Sequence, residues 1–539
     1  MTSESSSLST TILEQVDMLK DWIDHHLKLI ISEENKEEFL SLVREKKWLL
    51  IATPPLLMFL SSMIKLYGNY RKVKQIPGGL ALFFSPFKIP FLAPVFYMGN
   101  WNGMIEYANE KGDGEGNVRV SFVGFNYFLV TRERALMKEI LLNKQAFLDK
   151  PSIVYDMFNV FGENIVSALT IDSWKRHHRV CNAAFSVENL KYMCGQASKV
   201  TDLLTDLWEE RLKNGNGEFM FDCDDFSMVT LEVLGLAGFN MSFGVFDKND
   251  ESGGKFKDAV EKIFTVGMLM RRFLGGTPIL YPLAQRIFGV SHALEIINKK
   301  LDAAIEDRRK EMEENIDTFS KSDILSLLVK ANSKENLLTD QELKSNTLIF
   351  VLAGEEWVIY ELAKNPQYQE KAREEIERVL SERIPSYDDY DNLDLLNCIF
   401  LETLRLHPAA AGILKQANKT ITIGKYTIPK DTIVDCSIVG VQTSESVWPE
   451  ASVFKPERWL DREFRSKAQH DYSFLSFSTG LRKCIGFNFS KMEACMILAR
   501  VLKKYKFELL NNEAQGDIVV GSKGVTTRPE NLKVKVTKL

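Results

Sequence analysis

The run Phe477-Ser478-Thr479-Gly480-Leu481-Arg482-Lys483-Cys484-Ile485-Gly486 joins a glycine-containing loop to the start of an amphipathic helix. A cysteine placed there meets free backbone N–H groups and the positive end of the helix dipole. Arg482, close before it, adds positive charge, and both influences favour thiolate over thiol. The seven cysteines of the chain are scattered from Cys181 to Cys495 without a CxxC pair. A lone thiolate lacks the partners that a zinc or iron–sulfur site needs, but it suffices as the axial ligand of a heme iron. Arg482 then suits a heme propionate through charge-assisted hydrogen bonds. Gly480 and Gly486 allow the backbone to come close to a macrocycle. The competing account, an inert packed cysteine, leaves this pattern of fixed positions unexplained.

Further chemistry-bearing residues lie elsewhere. Glu402 and Arg405 are i,i+3 neighbours and share one helix face. Taken alone, such a pair is usually a solvated surface ion pair. Together with the cysteine loop it fits a wider pattern. F-x-x-G-x-R-x-C-x-G resembles the heme-binding loop of the cytochrome P450 family. Glu402-Thr403-Leu404-Arg405 resembles that family's E-x-x-R, and Leu406-His407-Pro408 continues it. Pro456-Glu457-Arg458-Trp459 resembles its P-E-R-W segment, and Trp174 its W-x-x-x-R helix. Pro77-Gly78 and Gly99-Asn100 are similar to its entry region, so the resemblance covers roughly residues 76–539.

The resemblance implies a mainly α fold with a small β part, in which a thiolate-ligated heme lies between a long central helix and the cysteine-loop helix. Cys484 would be the axial iron ligand, with Phe477, Gly480, Arg482 and Gly486 shaping its loop. Trp174, His178 and Lys415 stand where relatives contact the propionates. Lys415 replaces an arginine and holds charge without the bidentate fork. Glu402, Arg405 and Arg458 would form a buried network beneath the heme that serves heme loading and folding. The implied activity inserts one oxygen atom of O2 into an apolar small molecule. No flavin or nicotinamide motif is present, so electrons from NADPH would arrive through a separate flavoprotein reductase, or from a cytochrome b-type donor. Lys175, Arg176, Arg179, Lys483 and Lys491 form a candidate basic docking patch. Substrate contacts are expected from 155–161, 264–273, 350–353 and 409–414.

Two departures stand out. Four places after Trp174 comes His178, and Arg179 lies about 100° further round the helix. One propionate contact therefore depends on protonated His178 or is lost. On the central helix, relatives carry A-G-x-[D/E]-T, whereas this chain reads Ala353-Gly354-Glu355-Glu356-Trp357. The family's W-x-x-Y-x-L-A-x-x-P follows at once from Trp357 to Pro366, so about seven residues are missing, close to two helical turns. The threonine position falls on Trp357 in an upstream register and on Phe350 in a downstream one. Neither has a hydroxyl, and Glu356 supplies the acid only in the upstream register. Thr347 fits neither. Three explanations compete: an error in the gene model, an isoform with impaired catalysis, and an enzyme that rebuilt or never needed this proton relay. The alternative to a monooxygenase is therefore a heme-binding but catalytically impaired isoform, or a peroxide-using or isomerising relative.

The elements that must position these groups follow from patterning. The chain has 539 residues, is 45% hydrophobic and carries a net charge of −5, an ordinary globular composition with no basic field for nucleic acid. Residues 1–47 form a polar extension. Residues 48–66 are expected to be a membrane anchor: Trp48 to Ile64 is uncharged, and basic residues flank it on both sides. Residues 67–98 are a basic, proline-rich linker, and 99–539 form the heme domain. The implied location is the endoplasmic reticulum membrane, with one N-terminal anchor and a cytosolic catalytic domain. Val118 to Thr131 predicts a β-hairpin, 134–410 is mostly helical with loops at 214–217 and 249–254, and 340–364 predicts one helix opened by a capping box at Thr339.

Overall fold

The computed structural model describes residues 61, 64, 67, 68, 71, 73–81, 101–510 and 520–539, except 123–127, 144–145, 148, 250, 315–322, 336, 351–355, 524–525 and 530. The chain divides into two units, Met1–Gly68 and Asn69–Leu539. The polar extension, nearly all of the expected anchor and residues 82–98 of the linker lie outside the described residues. Among the described residues no helix is long and apolar enough to cross a membrane.

The second unit is mainly helical with small sheets. The largest sheet uses β1 (Gly78–Ala81), β2 (Val118–Phe122) and β3 (Phe128–Thr131). β2 and β3 run antiparallel, with Val118 opposite Val130, as the hairpin pattern predicts. After β4 (Glu218–Met220) come β5 (Gly412–Gln416), the hairpin of β6 (Ile421–Ile423) and β7 (Tyr426–Ile428), and β8 (Ile433–Ser437). β8 inserts beside β3, giving the order β1-β2-β3-β8-β5. In a second sheet β12 (Val534–Lys538) is central and pairs with β4 on one side and β9 (Tyr505–Leu509) on the other, and β10 (Val520–Lys523) pairs with β11 (Thr526–Pro529).

The helices that bear on the site are α1 (Ile171–Asn182), α2 (Val187–Asn214), α3 (Asp340–Ile349), α4 (Glu356–Lys364), α5 (Pro366–Leu380), α6 (Asp394–Leu406) and α7 (Phe487–Lys504). From Met492 to Ala499 every residue of α7 is buried, which marks it as a central helix. It packs against α2, α5 and α6.

Two expectations need correction. The single helix predicted over 340–364 is two. Thr339 and Glu342 form the predicted capping box, but α3 stops at Ile349, where the Phe350 N–H turns back to the Leu348 carbonyl. α4 begins at Glu356 and ends before Pro366, which opens α5. The loop predicted over 249–254 is half helix, since Glu251–Lys262 is helical. Gly253 permits this, because a Cβ there would lie 2.0 Å from the Gly244 carbonyl oxygen.

Candidate active site

The cysteine loop is built by backbone geometry. Ser478 and Gly480 both take positive φ, 57° and 68°. The Cys484 N–H donates back to the Phe477 carbonyl at 2.8 Å, closing the loop on itself. Phe477 meets Phe487 edge to face at 4.6 Å. Gly486 is the N-cap of α7. A Cβ on Gly486 would stand 3.9 Å from the Cys484 sulfur, so its missing side chain keeps the sulfur's surroundings open.

Cys484 is the only exposed cysteine of the seven. Protein still surrounds it closely enough that desolvation is the largest influence on the thiol and pushes its pKa up, against the Gly486 N–H and the Lys483 charge, which lower it. The expected net bias toward thiolate is therefore corrected: Arg482 is turned elsewhere, and the helix N-terminus does not outweigh desolvation. Binding a metal ion removes the proton instead, because a coordinating thiol is deprotonated outright.

Arg482 donates to the carbonyls of Ala168 at 2.5 Å and Leu169 at 2.9 Å, and its guanidinium lies 5.7 Å from the centre of the Trp174 ring. Its Nε is buried without a hydrogen-bond partner. Two lysines share this region. Lys415 of β5 is 9% exposed. Lys150, which the sequence did not single out, is brought beside β5 by the Gln416 N–H bonding to the Asp149 carbonyl at 3.4 Å. Its Nζ donates to Val166 and lies 4.3 Å from the Tyr155 ring centre. Burial and mutual repulsion act together on this group. Lys150 is pushed well below the usual lysine range, first by burial and then by Arg482 and Lys415. Lys415 is pulled to about 8 by burial and Arg482, and Arg482 to about 10 by burial. Three crowded cations with an unpartnered Nε call for a polyanionic ligand, and two propionates on one macrocycle have that chemistry. The donor set fits heme.

The His178 ring lies tilted against Trp174, centroids 4.6 Å apart, and burial lowers its pKa, which favours the neutral ring. Its neighbour His177 is fully buried and pairs through Nδ1 with Asn346 of α3 at 2.8 Å. Arg176 forks onto Glu342 at 2.7 and 3.0 Å, which fastens α1 to α3. That contact removes Arg176 from the expected docking patch. Lys491 is also drawn in, lying 5.3 Å from the Tyr390 ring centre. Lys175, Arg179 and Lys483 are exposed.

Glu402 and Arg405 are both fully buried. Arg405 holds Glu402 by two bonds, at 2.8 and 2.9 Å, and Arg458 reaches the same carboxylate at 3.3 Å. The Trp459 indole N–H and the Lys455 backbone N–H complete its shell at 2.8 and 3.0 Å. Arg405 spends its remaining donors on the carbonyls of Gln442, Ala451 and Val453.

The central segment is split between two neighbourhoods. Trp357 stacks on His407 at 4.1 Å and 4°, and its indole N–H donates to Thr527 of β11 at 3.2 Å. His407 in turn meets Glu361 at 2.7 Å. Glu356 is buried and raises the pKa of Cys223, whose sulfur lies 3.6 Å from the Pro529 carbonyl of β11. Phe350 meets Phe185 edge to face at 5.4 Å, and Phe185 lies 4.0 Å from where a Gly486 Cβ would be. Phe350 thus reaches the neighbourhood of the cysteine helix through Phe185, while 351–355 lie outside the described residues. The Thr347 hydroxyl bonds its own helix at Leu343.

Comparison with known proteins agrees with this geometry. The cytochrome P450 family model matches residues 85–536. The chain is 25% identical over 512 residues to cytochrome P450 3A12 of Canis lupus familiaris, covering 91% of this chain and 96% of that one. It is 28% identical to cytochrome P450 4F12 of Homo sapiens, over 62% of this chain and 67% of that one. It is 29% identical over 387 residues to the bifunctional cytochrome P450/NADPH–P450 reductase 2 of Bacillus subtilis (strain 168); that match spans 70% of this chain but only 35% of the longer protein. With the fold, the cysteine loop and the family match in agreement, the chain belongs to the cytochrome P450 family of heme-thiolate monooxygenases.

Proposed function

We propose that this chain inserts one oxygen atom of O2 into an apolar small molecule, with Cys484 as the axial ligand and a separate NADPH-dependent flavoprotein reductase as electron source. The observation that carries the reading is the cation cluster Lys150, Lys415 and Arg482 beside the Trp174 face. The heme, when bound, would supply the oxygen chemistry, and the Cys484 thiolate would hold its iron. This chain's residues do the rest. Gly486 and the closed loop hold the Cys484 sulfur in place, while Lys150, Lys415 and Arg482 take the propionate charge. A recess of about 140 Å³ beside the loop is lined by His470, Phe474, Phe477, Lys483 and Phe487. It offers aromatic and basic surface for an electron donor. Membrane attachment through 48–66 is supported by a second apolar surface: Ile279, Leu280, Ile287 and Phe288 are all more than half exposed along one short helix and its flanks.

Reduced coupling is a second reading, favoured by the missing hydroxyl at Phe350. The test supplies NADPH, reductase and 18O2 with a panel of apolar substrates, then hydrogen peroxide alone. Labelled product in the first arm supports the monooxygenase reading. Product only with peroxide moves the assignment to a peroxide-using relative. Phe350→Thr is expected to raise product formed per NADPH severalfold.

A further inference from the structure

Asp435 lies on β8 opposite Leu414 of β5. It is 6% exposed, and its Oδ1 has no hydrogen-bond partner. Burial is the influence on the carboxyl, raising its pKa to about 7, and among the described residues no cation or hydrogen-bond donor relieves it. Gly412 leaves the space that the carboxyl itself occupies, since a Cβ there would stand 1.9 Å from Oδ1. Tyr155 is the facing phenol: it feels both Arg482 and Asp435, and its hydroxyl meets the Leu414 backbone. Lys415, one residue along β5, takes the alternate face of the strand, where Arg482, Cys436 and Asp149 act on it. Asp435 therefore stands where two expected substrate segments, 155–161 and 409–414, come together.

A buried carboxyl with no partner is unfavourable, and a ligand that brings the missing positive charge relieves it. An alcohol supplies one hydrogen bond but leaves the charge uncompensated. A protonated amine supplies both. We propose that Asp435 anchors the substrate by its basic nitrogen, so that the preferred substrates are apolar molecules carrying one protonated amine. This deepens the oxygenase reading above and rests on it.

The test uses full-length, heme-loaded protein and equilibrium dialysis. The probes are N,N-dimethyl-4-phenylbutylamine, protonated at neutral pH, and its neutral carbon isostere (5-methylhexyl)benzene. Wild type is expected to bind the amine about tenfold or more tightly than the isostere. Asp435→Asn should abolish that preference while leaving isostere binding within about twofold. Gly412→Ala, which crowds the carboxyl instead of removing it, should also weaken the amine selectively. The carbon monoxide spectrum of each reduced protein is recorded alongside. No amine preference in wild type, or one that survives in Asp435→Asn, overturns the anchor when the thiolate band is intact. Absence of that band in wild type overturns the heme reading and the anchor with it.

Discussion

Two charged clusters lie within this fold, and they are built oppositely. Around Glu402, one carboxylate is matched by Arg405 and Arg458, and nearly every polar atom is spent on a named partner. Around Arg482, three cations crowd together, and the Arg482 Nε has no hydrogen-bond partner. The first cluster is balanced within the chain, which suits the proposed role in heme loading and folding. The second carries unbalanced positive charge, which suits the proposed role in holding the propionates. The same residue types thus carry different roles, and it is charge balance that tells them apart.

Substitution should separate the two most sharply at Arg405. Arg405→Met leaves Glu402 buried with a weaker partner set and should cost about 3–5 kcal/mol, read from urea unfolding. Lys415→Met should act in the opposite sense on the heme-free chain, which is expected to gain about 1–3 kcal/mol at pH 7, because a crowded buried cation disappears. The heme-loaded protein should instead release heme about tenfold faster, measured by transfer to a heme acceptor. If Lys415→Met destabilises both forms, the contrast between the clusters fails.

The pH dependence sharpens the same contrast. Lys415 is lowered from 10.5 to about 8 in the folded chain. Between those values the unfolded state holds a proton that the folded state has lost, so stability rises with pH across that window, with a limiting slope of about 1.4 kcal/mol per unit. Urea midpoints of the heme-free chain from pH 7 to 10.5 should show this rise, and Lys415→Met should flatten it. A smaller effect is expected at the split helix. Trp357→Phe keeps the ring on His407 but removes the bond to Thr527, and should cost about 1 kcal/mol in the same assay.

What could be read from the chain followed contiguity. The Cys484 loop was legible because the ligand, both glycines and the following helix are adjacent in sequence. Glu402 and Arg405 were legible as one helix face, whereas their burial required tertiary structure. Lys150 carries no local signal: only the packing of 146–150 onto β5 brings it to Arg482. Spacing placed His178 but could not say whether it is protonated, because that depends on its burial. The break after Ile349 was hidden because a helical apolar pattern continues on both sides of it. Asp435 reads as an ordinary strand residue until Gly412 is seen beside it.

The central claim is that Cys484 ligates a heme held by Lys150, Lys415 and Arg482. Its most direct test is the carbon monoxide difference spectrum of the reduced, full-length protein. The account predicts a strongly red-shifted Soret band that is lost in Cys484→Ala. An unshifted band, or none, in the wild-type chain would contradict it.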